Sequence, residues 1–307
     1  MTCMLMLFLS ASSGLTLHLA PQQNDILVGE PLRLALTWHA NRTLQLPAEV
    51  DAGGWNYDYL QIWVDGPFGR HRYREIPPMI EERVIASSPL TAGNDSTSEL
   101  LLLYGRHVAK RDGFLFPTAG TYTIMVRYAD DRNPAESNTI TVRVKEPDEA
   151  ERVVLDALKT EPNEIRLGGP KAQRLLEKHP SSRYLCLARI ARYHEREGRL
   201  LEQRDPETGE PVSVPSEQWS VTAANAYRRM SEDLAASEDW GAYEDVRLAL
   251  LAEYARRGGD SAGARRAKDQ VLTRFPRSRV ADQIRSDDAK ELERKQRDKA
   301  DPDGPNQ

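Results

Sequence analysis

His194 and Glu197 stand three residues apart in a stretch of helical periodicity. That spacing places an imidazole and a carboxylate on one helix face, where they can serve a metal ion. No second ligand pair accompanies them and the six histidines are scattered, so the pair is expected to be an exposed polar helix face rather than a ligand set; His71 and His107 are the other two with any chemical context. His71 lies in Arg70-His71-Arg72-Tyr73-Arg74, a run with the charge to hold an anion, and also the charge that keeps an edge strand from adding another strand. Asp130-Asp131-Arg132-Asn133 carries oxygen ligands of the kind calcium takes, in a segment short enough to be only a turn. Trp55, Tyr57, Tyr59 and Trp63 gather around one strand. An exposed subset of these rings would stack on sugars or a peptide; the expectation is that Trp63 helps fill a core, with the others at its rim. HExxH, GxSxG, a Walker loop and GxGxxG are all absent. The two cysteines, Cys3 and Cys186, are too few for a disulfide framework or a cysteine zinc site. The reading therefore implies no catalytic residue, no metal and no cofactor.

Charge narrows the partners. The chain of 307 residues carries 42 basic and 47 acidic side chains, a net charge of −5 spread along its length. Nucleic-acid binders concentrate Lys and Arg to displace counterions from phosphates, so a nucleic-acid partner is not expected. The apolar run Met4 to Leu9 is too short to span a bilayer, and with Ala11-Ser12-Ser13 after it resembles the end of an export signal cleaved before Gly14. Residues 1–13 are thus expected to be a signal-peptide remnant, the protein to be exported to a periplasmic or extracellular space, and the mature chain to have no integral membrane segment.

From residue 14 to 146 the periodicity is two. Leu32, Leu34, Leu36 and Trp38 alternate with Arg33, Ala35 and Thr37, as a half-buried strand requires, and Val28-Gly29-Glu30-Pro31 supplies a turn before it. Tyr57 to Val64, Arg72 to Ile76, Glu99 to Tyr104, Gly120 to Tyr128 and Asn138 to Val144 read as further strands, with Leu15 to Ala20 ahead of them. Phe116-Pro117-Thr118-Ala119-Gly120-Thr121-Tyr122 resembles the entry to the strand at which a tyrosine corner closes an immunoglobulin-type sandwich. Ser137-Asn138-Thr139-Ile140-Thr141-Val142 resembles the last strand of the Ig-like modules of secreted bacterial proteins. The resemblance implies an antiparallel Ig-like β-sandwich over 14–146. Because Ile124 takes the place of the antibody-type cysteine, it implies no disulfide.

At Pro147 the pattern changes to helices. Pro147-Asp148-Glu149 has the proline and acids of a helix start, and apolar residues follow at Val153, Val154, Ala157 and Leu158. Arg174-Leu175-Leu176-Glu177-Lys178-His179-Pro180-Ser181-Ser182-Arg183 matches Gln270-Val271-Leu272-Thr273-Arg274-Phe275-Pro276-Arg277-Ser278-Arg279, each a helix end stopped by proline with a serine placed to cap the next helix. Ala252, Ala264 and Pro276 are evenly spaced, as the small packing positions and closing proline of tetratricopeptide units are, with Gly258-Gly259-Asp260 as the turn. The resemblance implies a stack of antiparallel helix pairs over 147–285. Gly168-Gly169-Pro170 departs from it, falling where a helix would run. Residues 286–307, charged and ending in Pro and Gly, read as a largely disordered tail.

The fold class expected is therefore multidomain β plus α, an N-terminal Ig-like sandwich followed by a C-terminal tetratricopeptide-like helical repeat. The expected role is a non-catalytic exported interaction or scaffold protein with a protein partner, its helices presenting a groove and its sandwich acting as spacer or second contact. Arg189, Arg192, Tyr193 and Arg247 are the candidate groove residues, because arginine and tyrosine carry much of the binding energy at protein interfaces; Trp55 is the candidate on the β half. The competing reading is a cell-envelope enzyme or enzyme accessory whose Ig-like module binds glycan or peptide.

Overall fold

The computed structural model describes residues 14–45, 60–75, 89–93, 95–106, 112–213, 216–237 and 240–300. The N-terminal part is β-sheet and the C-terminal part is helical. One sheet holds β1 (Leu15–Pro21), β3 (Leu32–Ala40) and β8 (Asp95–Leu102) in the order β1-β3-β8. A larger sheet runs β10 (Asp112–Phe114), β9 (Tyr104–Arg106), β6 (Gly69–Glu75), β5 (Leu60–Gly66), β11 (Gly120–Tyr128), β13 (Ile140–Lys145) and β2 (Asp25–Leu27), with β12 (Ala135–Glu136) beside β11. A third pair joins β4 (Leu44–Gln45) to β7 (Pro89–Leu90).

Alternation decides which side chains meet between the sheets. Leu17, Leu34, Leu36 and Trp38 from one sheet share a single apolar cluster with Ile62, Val64, Ile124, Val126 and Val142 from the other. Tyr122 is buried here, and its hydroxyl donates to the Thr118 carbonyl at 3.0 Å. Trp63 does not join the core as expected. Leu60, Ile62 and Val64 take the inward positions of β5, so the pleat turns Trp63 outward, where the Arg70 guanidinium lies 5.1 Å from its ring centroid. The core tryptophan is Trp38, packed edge-on to Tyr128 at 5.6 Å.

The helical part contains, among the described residues, α1 (Glu149–Leu158), α2 (Pro162–Leu167), α3 (Pro170–Leu176), α4 (Cys186–Leu201), α5 (Ser216–Ala236), α6 (Glu244–Arg257), α7 (Ser261–Arg274) and α8 (Arg279–Ala300). Asp148 caps α1 by accepting from the Glu151 amide at 2.8 Å. Of the two serines expected as caps, Ser278 accepts from the Ala281 amide at 3.1 Å, whereas the Ser182 hydroxyl donates to Glu151 instead, at 2.6 Å. Gly168 breaks α2 from α3 with φ +62°, and a Cβ there would lie 2.6 Å from the backbone of Leu187 and Ala188. Only glycine lets α4 pass that close. Ala252 and Ala264 are buried where α6 and α7 pack together. The charged stretch after residue 285 is not disordered throughout: α8 continues to Ala300, supported by pairs one turn apart such as Glu291–Lys295 at 2.6 Å.

The two parts meet along a sealed seam. β3 is covered on both faces, so Arg33, outward by the pleat, is only 2% exposed. It pairs with Glu99 of β8 at 2.7 Å and with Asp245 of α6 at 2.7 Å, and donates to the Ala242 carbonyl at 2.5 Å. Its guanidinium also sits 4.7 Å from the Tyr243 ring centroid. At the other end of the seam buried Glu30 binds Arg183 at 2.8 Å, and the Tyr184 hydroxyl donates to the Val28 carbonyl at 2.5 Å. Leu27 and Leu103 of the β part join Val154, Leu158, Ile165 and Leu185 in a second apolar cluster.

Candidate functional site

Helix α4 has two different faces. Leu185 and Ala188 point into the seam, and Cys186 is buried behind Trp240, its thiol donating to the Trp240 carbonyl at 3.4 Å. Burial pushes that thiol up to about 12, which keeps it protonated and unreactive. Arg189, Arg192, Tyr193 and Arg196 follow on another face at i, i+3, i+4 and i+7. Facing them are Asp233 and Ala236 from the end of α5, then Trp240 after the helix break. Together they line a cleft of about 490 Å³, within the range of roughly 300–1,000 Å³ typical of pockets that take small ligands.

The cleft has an aromatic floor and a cationic wall. Tyr193 and Trp240 lie 6.0 Å apart between centroids with their planes tilted 36°. Arg189 spans the Trp240 ring at 5.6 Å and donates to the carbonyls of Pro180 and Ser182, both at 2.6 Å. These acceptors fix its direction without neutralising its charge. Arg196 is paired with Asp233 at 3.3 Å and with Glu207, so its charge is spoken for. Arg192 is exposed and, among the described residues, has no hydrogen-bond or ion-pair partner. Burial raises the Tyr193 phenol above its ordinary range, with the Asp233 charge adding to it, so Tyr193 serves as a neutral ring and donor.

The expected groove residues divide. Arg189, Arg192 and Tyr193 come together in this cleft. Arg247 does not, and it is not free to line any groove. It is 9% exposed and gripped twice by Glu244 at 2.7 Å, with a third bond to the Leu234 carbonyl at 2.5 Å. Its position at the start of α6 puts it under the end of α5, where its task is to neutralise the buried Glu244, which also accepts from the Trp240 amide at 3.2 Å. Arg247 thus holds the cleft's far wall from behind. Trp55, Tyr57, Tyr59 and His107 lie outside the described residues, as do residues 1–13. Asp233 and Trp240, on the opposite wall, were not foreseen, because nothing in their local sequence marks them. Arg196 was legible as the next turn of the Arg189–Arg192 face.

The remaining chemical candidates stay apart. His194 and Glu197 approach to 3.7 Å, but Glu197 is already paired with Arg257 at 2.8 Å, and among the described residues no third ligand joins them. The Asp130 carboxylate accepts from Asn133 at 3.3 Å, within its own turn. The cleft itself offers rings, fixed cations and one carboxylate.

No family model matches the chain, and no curated protein matches it. Among solved structures it is similar to a sporulation control protein from Bacillus subtilis, at 9% identity and TM-score 0.27 over 48% of this chain and 55% of that one. A β-glucosidase from Listeria innocua follows at 11% identity and TM-score 0.23, over 43% of this chain and 16% of that one. One from Erythrobacter marinus stands at 14% identity and TM-score 0.24, over 43% and 15%. The chain spans little more than half of the first and about a sixth of the others. Similarity of this degree transfers neither activity nor partner.

Proposed function

We propose that this chain is a non-catalytic exported interaction or scaffold protein, in which tetratricopeptide-like helix pairs present a protein-binding groove and an Ig-like sandwich serves as spacer or second contact. The cleft carries the reading: Arg189, Arg192 and Tyr193 line one open concavity with Trp240 and no competing occupant among the described residues. Arginine, tyrosine and tryptophan in a concave site are the residue types that most often anchor protein interfaces. The Ig-like assignment is supported by the strand orders β1-β3-β8 and β6-β5-β11-β13-β2, and by the Tyr122 hydroxyl reaching back to Thr118. The helical-pair assignment is supported by buried Ala252 and Ala264 between α6 and α7. Export is supported by the apolar run at Met4 to Leu9 and the small residues after it.

The test is capture from a native envelope extract on the immobilised full chain, compared with the Arg189→Ala, Arg192→Ala, Tyr193→Ser triple variant after its helix content is shown to be retained. Loss of a saturable partner in the variant is the expected result. The same partners in the same amounts would refute the groove.

A further inference from the structure

Resting on that reading, we propose that the cleft between α4 and α5 is selective for a short acidic peptide segment, one carboxylate side chain beside an aromatic one, rather than for a neutral segment or a polyanion. Three observations combine. First, the wall charges are not equivalent. Arg196 is matched by Asp233 and Glu207, Arg189 is held by neutral carbonyls, and Arg192 has no counter-charge among the described residues. An arriving carboxylate therefore meets two guanidiniums without a counter-charge among the described residues: Arg192, and Arg189, whose Nε, Nη1 and Nη2 are held by Pro180, Cys186 and Ser182 and which adds its positive field. Planar guanidinium and planar carboxylate pair through two parallel hydrogen bonds, so a single carboxylate satisfies the free fork of Arg192.

Second, the floor beside these cations is the tilted ring pair Tyr193 and Trp240, which offers edge and face to another ring. Third, Asp233 stands in the opposite wall, 3.3 Å from Arg196, with its side chain about half exposed. That carboxylate is suited to accept a peptide N–H, and it repels a second negative charge. A phosphorylated or sulfated polymer would bring several charges against it. A volume of about 490 Å³ admits a few side chains and not a folded domain.

The probe is a set of acetylated, amidated octapeptides with a central Phe-Glu, fluorescently labelled and titrated into the full chain by anisotropy, beside the matched Phe-Gln set and a sulfated oligosaccharide. The Phe-Glu peptides are expected to bind about tenfold or more tighter than Phe-Gln, as the loss of a charge-assisted pair implies. Arg192→Ala should erase that difference, Arg192→Lys should restore part of it, and Asp233→Asn, by releasing Arg196, should tighten Phe-Glu binding severalfold. Arg192 and Asp233 are both solvent-accessible, so these variants are expected to fold; circular dichroism checks it.

If Phe-Glu and Phe-Gln bind equally and Tyr193→Ser weakens both, the groove stands and carboxylate selectivity is wrong. If neither set binds, selectivity for an acidic peptide is overturned, and the capture experiment decides the groove independently. If only the sulfated oligosaccharide binds, and through Arg192, the site is a polyanion site and the peptide proposal fails.

Discussion

Arg33 and Arg192 carry the same guanidinium in two regions of the molecule, a sealed seam and an open cleft. Arg33 sits buried between two carboxylates and a carbonyl, and Arg192 faces solvent with no partner among the described residues. Glu30 with Arg183 belongs with the seam, and Arg247 with Glu244 repeats the pattern one turn apart within α6: buried charge answered by charge. What differs is the element opposite. β3 is roofed by α6, while the Arg192 face of α4 opens onto a cleft whose far side is the end of α5 and Trp240. A charge buried with its partner organises the fold and resists change; a charge left unanswered at a concave surface is available to a ligand. The contrast teaches that residue type alone does not separate structural from functional arginines.

Breaking the seam should give the largest effect. Asp245→Ala leaves Arg33 without its helical partner and is expected to cost about 3–5 kcal/mol, the range for a buried pair with one member removed. A shift in urea midpoint at unchanged slope measures it. Joining Arg33→Met to Asp245→Leu should restore much of that loss, and simple additivity of the two single effects would show that the pair is not coupled. Tyr184→Phe tests the other end. Removing the hydroxyl that bonds the Val28 carbonyl should cost about 1 kcal/mol, since that acceptor is left unpaired on a half-sealed contact. An unchanged midpoint would mean that water replaces it there. The smallest effect belongs to the cleft: Arg192→Ala should move stability by no more than about 0.5 kcal/mol, as expected of an exposed side chain without partners. A larger loss would place Arg192 with the seam and end the comparison.

Much of the fold was legible because local rules and tertiary outcome agree. Gly120 to Tyr128 reads as a strand and is one to the residue, and the Gly258-Gly259-Asp260 turn separates α6 from α7 as its residues demand, with Asp260 capping the second helix. Trp63 was expected inward by likeness to the core tryptophan of Ig-type sandwiches, whereas the parity set by Leu60, Ile62 and Val64 sends it out. For the site, one wall was legible and the other was not. Arg189, Arg192 and Tyr193 recur at helical spacing, so one face is implied by periodicity alone, but Asp233 and Trp240 reach it from another helix and a turn.

The sequence by itself determined the β and helical halves and the switch near Pro147, because strand and helix periods differ and side chains must alternate accordingly. It also determined which arginines share a helix face. Only the tertiary structure decided which charges are buried. Arg33 alternates with apolar residues as a solvent-facing position would, and Arg247 lies on a helix as exposed-looking as Arg192. Arg33 is buried because a second surface, remote in sequence, arrives with the Asp245 carboxylate at hydrogen-bond distance, and Arg247 because the end of α5 closes over it and Glu244, one turn away. That is a property of packing between elements, and no local pattern encodes it, since a guanidinium stays charged in either place and only its surroundings differ.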